Sequence, residues 1–192
     1  NGGVDAVGLY FAYFPIKNST LFNRVKSDIK QLQEQIDHGK YQLKIASNLT
    51  HIEKIVNNGN TALIPAVEYF YGIFQNDVST LDSLYGVGIR SVTLMDNKYD
   101  ILSSEKEDDN STVVLSDFGR SIIKRMNQLG ILIDISHLDD EMQKAVIEYS
   151  ESPVIASHST VRAVHDIERN IPDDILIKLK EKNGAIMITF NS

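Results

Sequence analysis

Two apolar segments of this sequence each end on a histidine, and polar residues lie shortly after each histidine. The stretch LIDISHLDD covers residues 132–140 and the stretch VIASHST covers residues 154–160, so the two histidines are His137 and His158. Neutral imidazole is a good ligand for zinc and similar divalent ions. If the two segments are neighbouring strands, their histidines could share one ion.

Two acidic residues follow earlier apolar segments in the same way. Glu68 comes directly after residues 61–67, and Asp96 comes directly after residues 91–95. A glutamate there could supply a third metal ligand or bridge to a second ion. Ordinary structural roles also fit, because a strand-end histidine often makes a structural hydrogen bond and an Asp-Asn pair often forms a turn. The spacing alone supports a metal-dependent hydrolase and these structural roles about equally.

Six short apolar segments place these candidate residues. Each is rich in β-branched or aromatic residues and nearly continuous, which is typical of strands buried on both faces. Amphipathic stretches with helix-capping signals separate them, such as the serine and glycine that bound residues 116–130. The predicted strands lie in residues 4–14, 61–67, 91–95, 131–135, 154–156 and 185–190. The predicted helices lie in residues 19–38, 49–58, 116–130, 138–150 and 171–184.

The alternation of strand and helix predicts an α/β fold with a parallel sheet. A doubly wound sheet and a (β/α)8 barrel both have this pattern. No glycine-rich GxGxxG turn follows the first strand, although a doubly wound nucleotide-binding sheet commonly has one. Candidate side chains at the ends of several strands instead favour a (β/α)8 TIM-barrel type. Only about six of its eight strands are visible, so we expect an incomplete barrel.

Composition limits the classes of partner. The 192 residues suggest a single domain, and the net charge of −7 argues against a nucleic-acid partner. The lack of cysteine excludes disulfides and thiolate metal sites. No run of 18 apolar residues occurs, so we expect no transmembrane segment and favour a soluble, cytoplasmic protein. The first residues include no basic segment, so we expect no signal peptide there, and the lack of an initial methionine suggests part of a longer polypeptide.

Several motifs in order carry a family resemblance. The chain contains LGILIDISHLDDEM, then SPVIASHSTVRAVHDIERNIPDDIL, then GAIMITF, with AVEYFYG and GIRSVTLMDN upstream. This combination resembles the renal (membrane) dipeptidase family, the M19 metallopeptidases. The resemblance runs from about residue 2 to the C-terminus and is weakest over residues 19–58.

The resemblance implies a (β/α)8 barrel with two zinc ions that hydrolyses the peptide bond of dipeptides by a metal-bound hydroxide. Glu68 matches the metal-bridging glutamate of the family, and His137 and His158 match the two histidines of the second zinc ion. Arg169, in ERNIPDD, matches the arginine that binds the C-terminal carboxylate of the substrate, a task suited to a planar bidentate donor. Without the resemblance, we would have preferred a surface ion pair with Asp173 or Asp174 for Arg169.

The chain also departs from the family pattern. The His-x-Asp of the first zinc ion and the aspartate that acts as general base would lie upstream and downstream of these residues. We therefore expect the first and last strands to be missing, truncation at both ends, at most one well-held zinc ion, and no activity of this fragment alone. A homodimer, or a longer parent polypeptide, would then cover the open sheet.

Asp96 stands where the family usually has a histidine that contacts the substrate. It is our candidate catalytic residue at that position, although a carboxylate there would oppose a developing oxyanion or could bind metal instead. Two alternatives therefore stay open beside the dipeptidase. One is a catalytically inactive relative that serves as a binding or structural module, and the other is a different amidohydrolase-type reaction on the same scaffold.

Overall fold

The computed structural model describes residues 4–12, 20–39, 41–68, 77–94, 102 and 115–189. Within these ranges strands and helices alternate along the chain. The strands are β1 (Ala6–Ala12), β2 (Leu43–Ile45), β3 (Thr61–Glu68), β4 (Ser91–Thr93), β5 (Leu132–Asp134), β6 (Val154–Ser159) and β7 (Ala185–Ile188). The helices are α1 (Thr20–His38), α2 (Leu49–Asn57), α3 (Thr80–Gly86), α4 (Asp117–Leu129), α5 (Asp140–Tyr149) and α6 (Asp173–Glu181).

All strand pairs in the sheet are parallel. The order across the sheet is β1-β3-β4-β5-β6-β7, and β2 pairs with the first residues of β3. The sheet curls with its helices outside, so the fold is α/β and corresponds to an incomplete (β/α)8 barrel, as predicted. Each of the six predicted strand segments overlaps one of these strands, and β6 extends three residues beyond its predicted segment.

Strand β2 is a difference from the sequence prediction. Its three residues, LKI, include an exposed lysine and make no apolar run. Two backbone hydrogen bonds at its ends join it to β3, from Thr61 N to Gln42 O at 2.7 Å and from Ala46 N to Leu63 O at 2.8 Å. The strand exists because β3 offers it an unpaired stretch of backbone, which is a tertiary rather than a local cause.

The helices pack on the outer face of the sheet and form the main core with it. Residues of α4, α5 and α6 meet outward-facing strand residues there, among them Ile123, Val146, Leu179, Ile133 and Val154. Helix α4 begins at Ser116, whose hydroxyl accepts a hydrogen bond from Gly119 N at 2.8 Å, and stops at Gly130 in the left-handed conformation, φ 71°. Both ends agree with the sequence prediction.

The inner face of the sheet is more open and more polar. Alternation along the strands directs Ser91, Leu132 and Ser157 to this face, where six of the strands enclose a cavity of about 280 Å³. Glu68 and His158 line the same cavity at the carboxyl ends of β3 and β6. This is the rim where barrel enzymes place their chemistry. In the described ranges, no helix is both long and apolar enough to cross a lipid bilayer.

Candidate metal centre

Three side chains that are far apart in the sequence meet at the rim of the sheet. The Nε2 atoms of His137 and His158 lie 2.9 Å apart, and each lies 3.1 Å from Oε1 of Glu68. In the described part of the chain, these three side chains form a group whose ligand atoms are close enough together to hold a metal ion. The structure therefore brings together three of the residues that the sequence singled out.

Parallel strands with matching ends explain this convergence. Glu68 is the last residue of β3, and His158 lies near the end of β6. His137 lies in the turn that follows β5 and has a positive φ of 76°, which is unusual for a residue with a side chain. Such a backbone conformation costs free energy and persists where the surroundings fix it, often at functional sites.

A buried aspartate supports the site from behind. Asp134, at the end of β5, is fully buried and accepts four hydrogen bonds. Its Oδ2 accepts from the hydroxyls of Thr93 at 2.7 Å and Ser157 at 2.5 Å, and its Oδ1 accepts from the backbone N–H groups of Ser136 at 3.1 Å and Ser157 at 2.9 Å. These bonds satisfy a carboxylate that would otherwise be costly to bury.

The same network orients the ring of His158. The Ser157 hydroxyl donates to Asp134, so its oxygen is left to accept from Nδ1–H of His158, 2.6 Å away. That bond places the proton on Nδ1 and leaves Nε2 with its lone pair toward Glu68 and His137. The backbone N–H of His158 also donates to Oγ of Ser136 at 3.1 Å. Imidazole tautomer and ring position are thus both set by neighbours on the strand ends.

The donor set fits a zinc ion. Two imidazole nitrogens and one carboxylate oxygen are ordinary zinc ligands, and a tetrahedral ion that binds them at about 2.0–2.2 Å would hold them about 3.3–3.6 Å apart. The measured separations of 2.9–3.1 Å are a few tenths of an ångström shorter, so a small outward shift of the side chains would admit the ion. His137 and His158, in their protonated form, donate hydrogen bonds to Glu68 and lower its pKa to about 2, against the opposing effect of burial. Glu68 is therefore a carboxylate at neutral pH, as a metal ligand must be.

Arg169 reaches the same rim from the loop after β6. Its guanidinium donates to the carbonyl oxygen of His158 at 2.8 Å and to Oγ of Ser159 at 3.3 Å. Asp174, one of the two partners considered for a surface ion pair, pairs with Lys144 at 3.0 Å. Asp96, the candidate catalytic residue, lies outside the described residues.

Sequence reasoning missed some contributors to the site. Tyr10 of β1 lines the cavity, and its ring lies edge-on to that of His158 with centroids 6.1 Å apart. Burial raises the pKa of Tyr10. Nothing in the local sequence around Tyr10 marks it, because only pairing of β1 with β3 brings it here. Ser157 and Thr93 did have a signal, since both are polar residues inside apolar strand segments.

Comparison with known proteins identifies the family of this chain. The family model described as "Membrane dipeptidase (Peptidase family M19)" matches residues 2–192. An uncharacterized dipeptidase of Schizosaccharomyces pombe is 37% identical over 169 residues, which are 84% of this chain and 41% of that protein. Dipeptidase 3 of Macaca fascicularis is 31% identical over 192 residues, which are 96% of this chain and 39% of that protein. The chain thus spans about two fifths of the length of these relatives.

A solved structure shares the fold. A metallopeptidase from Rhodobacter sphaeroides, liganded with a phosphinate mimic of the dipeptide L-Ala-D-Ala, superposes with a TM-score of 0.78. The match covers 95% of this chain and 60% of that protein at 18% identity. The family match, the two relatives and the three-ligand cluster at the strand ends agree with one another, and the chain belongs to the membrane dipeptidase family, peptidase family M19.

Proposed function

We propose that this chain is the part of a zinc-dependent dipeptidase that holds a metal ion and the C-terminal end of a dipeptide. The observation that carries the proposal is the convergence of Glu68, His137 and His158 to separations near 3 Å. We also infer that residues 1–192 belong to one metal-dependent hydrolase-like barrel domain, since one sheet and one main core run through the described ranges.

The roles of the three ligands follow from their chemistry. His137 and His158 offer neutral nitrogen, and Glu68 offers the negative charge that partly balances a divalent cation. When bound, zinc supplies a Lewis acid and lowers the pKa of a coordinated water toward about 7. Glu68 is also placed at the edge of the cavity, where its other oxygen could bridge to a second ion.

Arg169 is our candidate for recognition of the substrate. Its guanidinium lies against the carbonyl oxygen of His158, so it is close to the proposed metal ligands. A planar guanidinium binds carboxylate through two parallel hydrogen bonds and fixes its orientation. A dipeptide held by its C-terminal carboxylate at Arg169 would direct its single peptide bond toward the ligand cluster. This gives a reason for a preference for dipeptides.

These residues alone are proposed to hold at most one zinc ion well and to lack dipeptidase activity. The family pattern takes further ligands and a general base from strands outside this segment, and the relatives are more than twice as long. The proposal therefore concerns the full-length protein, in which these residues would supply one half of the site.

Hydrolysis of a dipeptide panel by the full-length protein is the direct test. The metal-free protein should be inactive, zinc should restore activity, and His158→Ala should abolish it. His165→Ala is the matched control, because His165 is exposed and its described hydrogen bonds use only its backbone. L-Ala-D-Ala belongs in the panel because a mimic of it binds the Rhodobacter sphaeroides protein.

Two outcomes would favour other functions. Zinc binding without hydrolysis of any dipeptide would favour a catalytically inactive binding module, an alternative motivated by Asp96 in place of the usual histidine. Zinc-dependent hydrolysis of other amides, with dipeptides untouched, would favour a different amidohydrolase-type reaction. Full activity of His158→Ala would contradict the metal site itself.

A further inference from the structure

A second arginine, Arg162, restrains the loop that carries Arg169. Arg162 forms a bidentate ion pair with Asp140, from Nη1 to Oδ2 at 2.6 Å and from Nη2 to Oδ1 at 2.7 Å. The same guanidinium donates from Nε to the carbonyl oxygen of Asn170 at 2.9 Å and from Nη2 to that of Glu168 at 2.9 Å. Arg162 therefore binds the backbone on both sides of Arg169.

The rest of this loop is held by polar contacts within it, such as the bond from Nδ2 of Asn170 to the carbonyl oxygen of His165 at 2.7 Å. Residues 163–168 are all exposed, so apolar packing does not fix their position. The ends of the loop are joined by a parallel bridge between Val161 and Ile171, with Arg162 N donating to Ile171 O at 2.9 Å. The Arg162 side chain joins this loop to helix α5 through its ion pair with Asp140. Segments with few buried contacts move readily unless such polar contacts restrain them.

Asp140 connects this restraint to the ligand cluster. It is the first residue of α5 and follows the turn that carries His137. As an acid in the first turn of a helix, it is stabilised where it stands. The ion pair therefore joins two segments that each present a side chain at the rim, the turn with His137 and the loop with Arg169.

We propose that the Arg162–Asp140 pair is a positioning device that sets where the Arg169 guanidinium meets the substrate carboxylate. This inference rests on the proposed role of Arg169. Two parallel hydrogen bonds to a carboxylate form only when the guanidinium is correctly oriented, so a displaced Arg169 should bind the substrate carboxylate less tightly. Arg162 does not touch substrate in this scheme, so its loss should weaken recognition of the carboxylate and spare the zinc ligands.

The test compares Arg162→Met, which keeps much of the apolar stem and removes the fork, with Arg125→Met in the zinc-loaded full-length protein. Arg125 is the matched control because it also forms a two-contact pair with an aspartate, Asp82, between outer helices. Arg162→Met should raise KM for a dipeptide by about tenfold and leave kcat within about twofold, the pattern of lost ground-state binding. Arg125→Met should change neither, and both variants should bind zinc like the wild type.

A double-mutant cycle separates positioning from general loss of stability. In an Arg169→Met background, Arg162→Met should raise KM no further, because the group that it positions is already gone. An equal increase in both backgrounds would overturn the inference. Arg162→Lys supplies a second route if Arg162→Met folds poorly, since lysine keeps a single contact with Asp140 but cannot bind both carbonyls. Arg162→Lys should also raise KM, but by less than Arg162→Met does.

The proposed dipeptidase function and the positioning role of Arg162 would be contradicted by different results. No dipeptide hydrolysis by the wild-type protein overturns the proposed function and this inference with it. Normal hydrolysis with an unchanged KM in both Arg162 variants overturns this inference alone. A fall in kcat or in zinc affinity equal to the rise in KM would also overturn it, because the pair would then support the whole site rather than Arg169.

Discussion

The Nε2 atoms of His137 and His158 face each other at 2.9 Å across the end of the sheet. Nε2 of His158 carries a lone pair, since its Nδ1 holds the ring proton against Ser157. The two ring nitrogens and the ionised carboxylate of Glu68 converge on one point, which suits a cation.

Zinc should stabilise the protein against thermal unfolding. A ligand that binds only the folded state adds about 2.7 kcal/mol when its free concentration is a hundred times Kd. Removal of one ligand by His137→Ala should abolish most of the zinc-dependent rise in Tm, whereas His165→Ala should preserve it. Differential scanning calorimetry of metal-free protein with and without zinc provides the measurement. An equal rise in His137→Ala would place the ion elsewhere.

Asp134→Asn should weaken zinc binding although Asp134 is not a ligand. The change removes the charge that holds the Ser157 hydroxyl, and loss of such outer partners typically costs about 10–100-fold in metal affinity. Isothermal titration with zinc measures the effect. Thr93→Val is the control, since it deletes one hydrogen bond to Asp134 and leaves the link to His158 in place. It should cost stability of about 1 kcal/mol and little zinc affinity.

The carboxyl group of Glu68 should titrate far below an ordinary glutamate in the metal-free protein. Its pKa is lowered to about 2 because His137 and His158, once protonated, donate hydrogen bonds to its carboxylate. A pKa that is lower in the folded state means that stability from Glu68 is present above the unfolded value of about 4.3 and is lost as pH falls toward 2. Carbon-13 NMR of the labelled carboxyl should show this midpoint, and His137→Ala should raise it. A midpoint near 4 in the wild type would contradict the hydrogen-bonded geometry.

Gly119→Ala should destabilise the fold at the start of α4. A Cβ there would lie 2.6 Å from the carbonyl oxygen of Leu102, too close for real atoms. Relief requires a backbone shift, which typically costs about 1–3 kcal/mol. Gly86→Ala is the control, because a Cβ at Gly86 meets nothing within 4 Å. Urea unfolding should show a loss for the first variant only, and equal midpoints would refute the close packing at Leu102.

Local patterns in the sequence were enough to place most of the elements. Continuous apolar runs identified the six strands other than β2, because a strand buried on both faces needs mostly apolar residues. Ser116 and Gly130 identified the ends of α4, because a cap depends on the residue itself and its near neighbours. Strand β2 was missed because it makes no apolar run, and helix α3 was missed because its seven residues are too few to show a clear helical pattern.

The candidate site divides in the same way. The sequence by itself determined that Glu68, His137 and His158 lie at strand ends, and equivalent ends of parallel strands share one rim. Only the tertiary structure decided that their ligand atoms stand near 3 Å apart, and that Arg162 reaches the backbone on both sides of Arg169. Those distances depend on strand register, sheet curl and rotamers, which are set by packing between residues far apart in the chain and leave no mark in the local sequence.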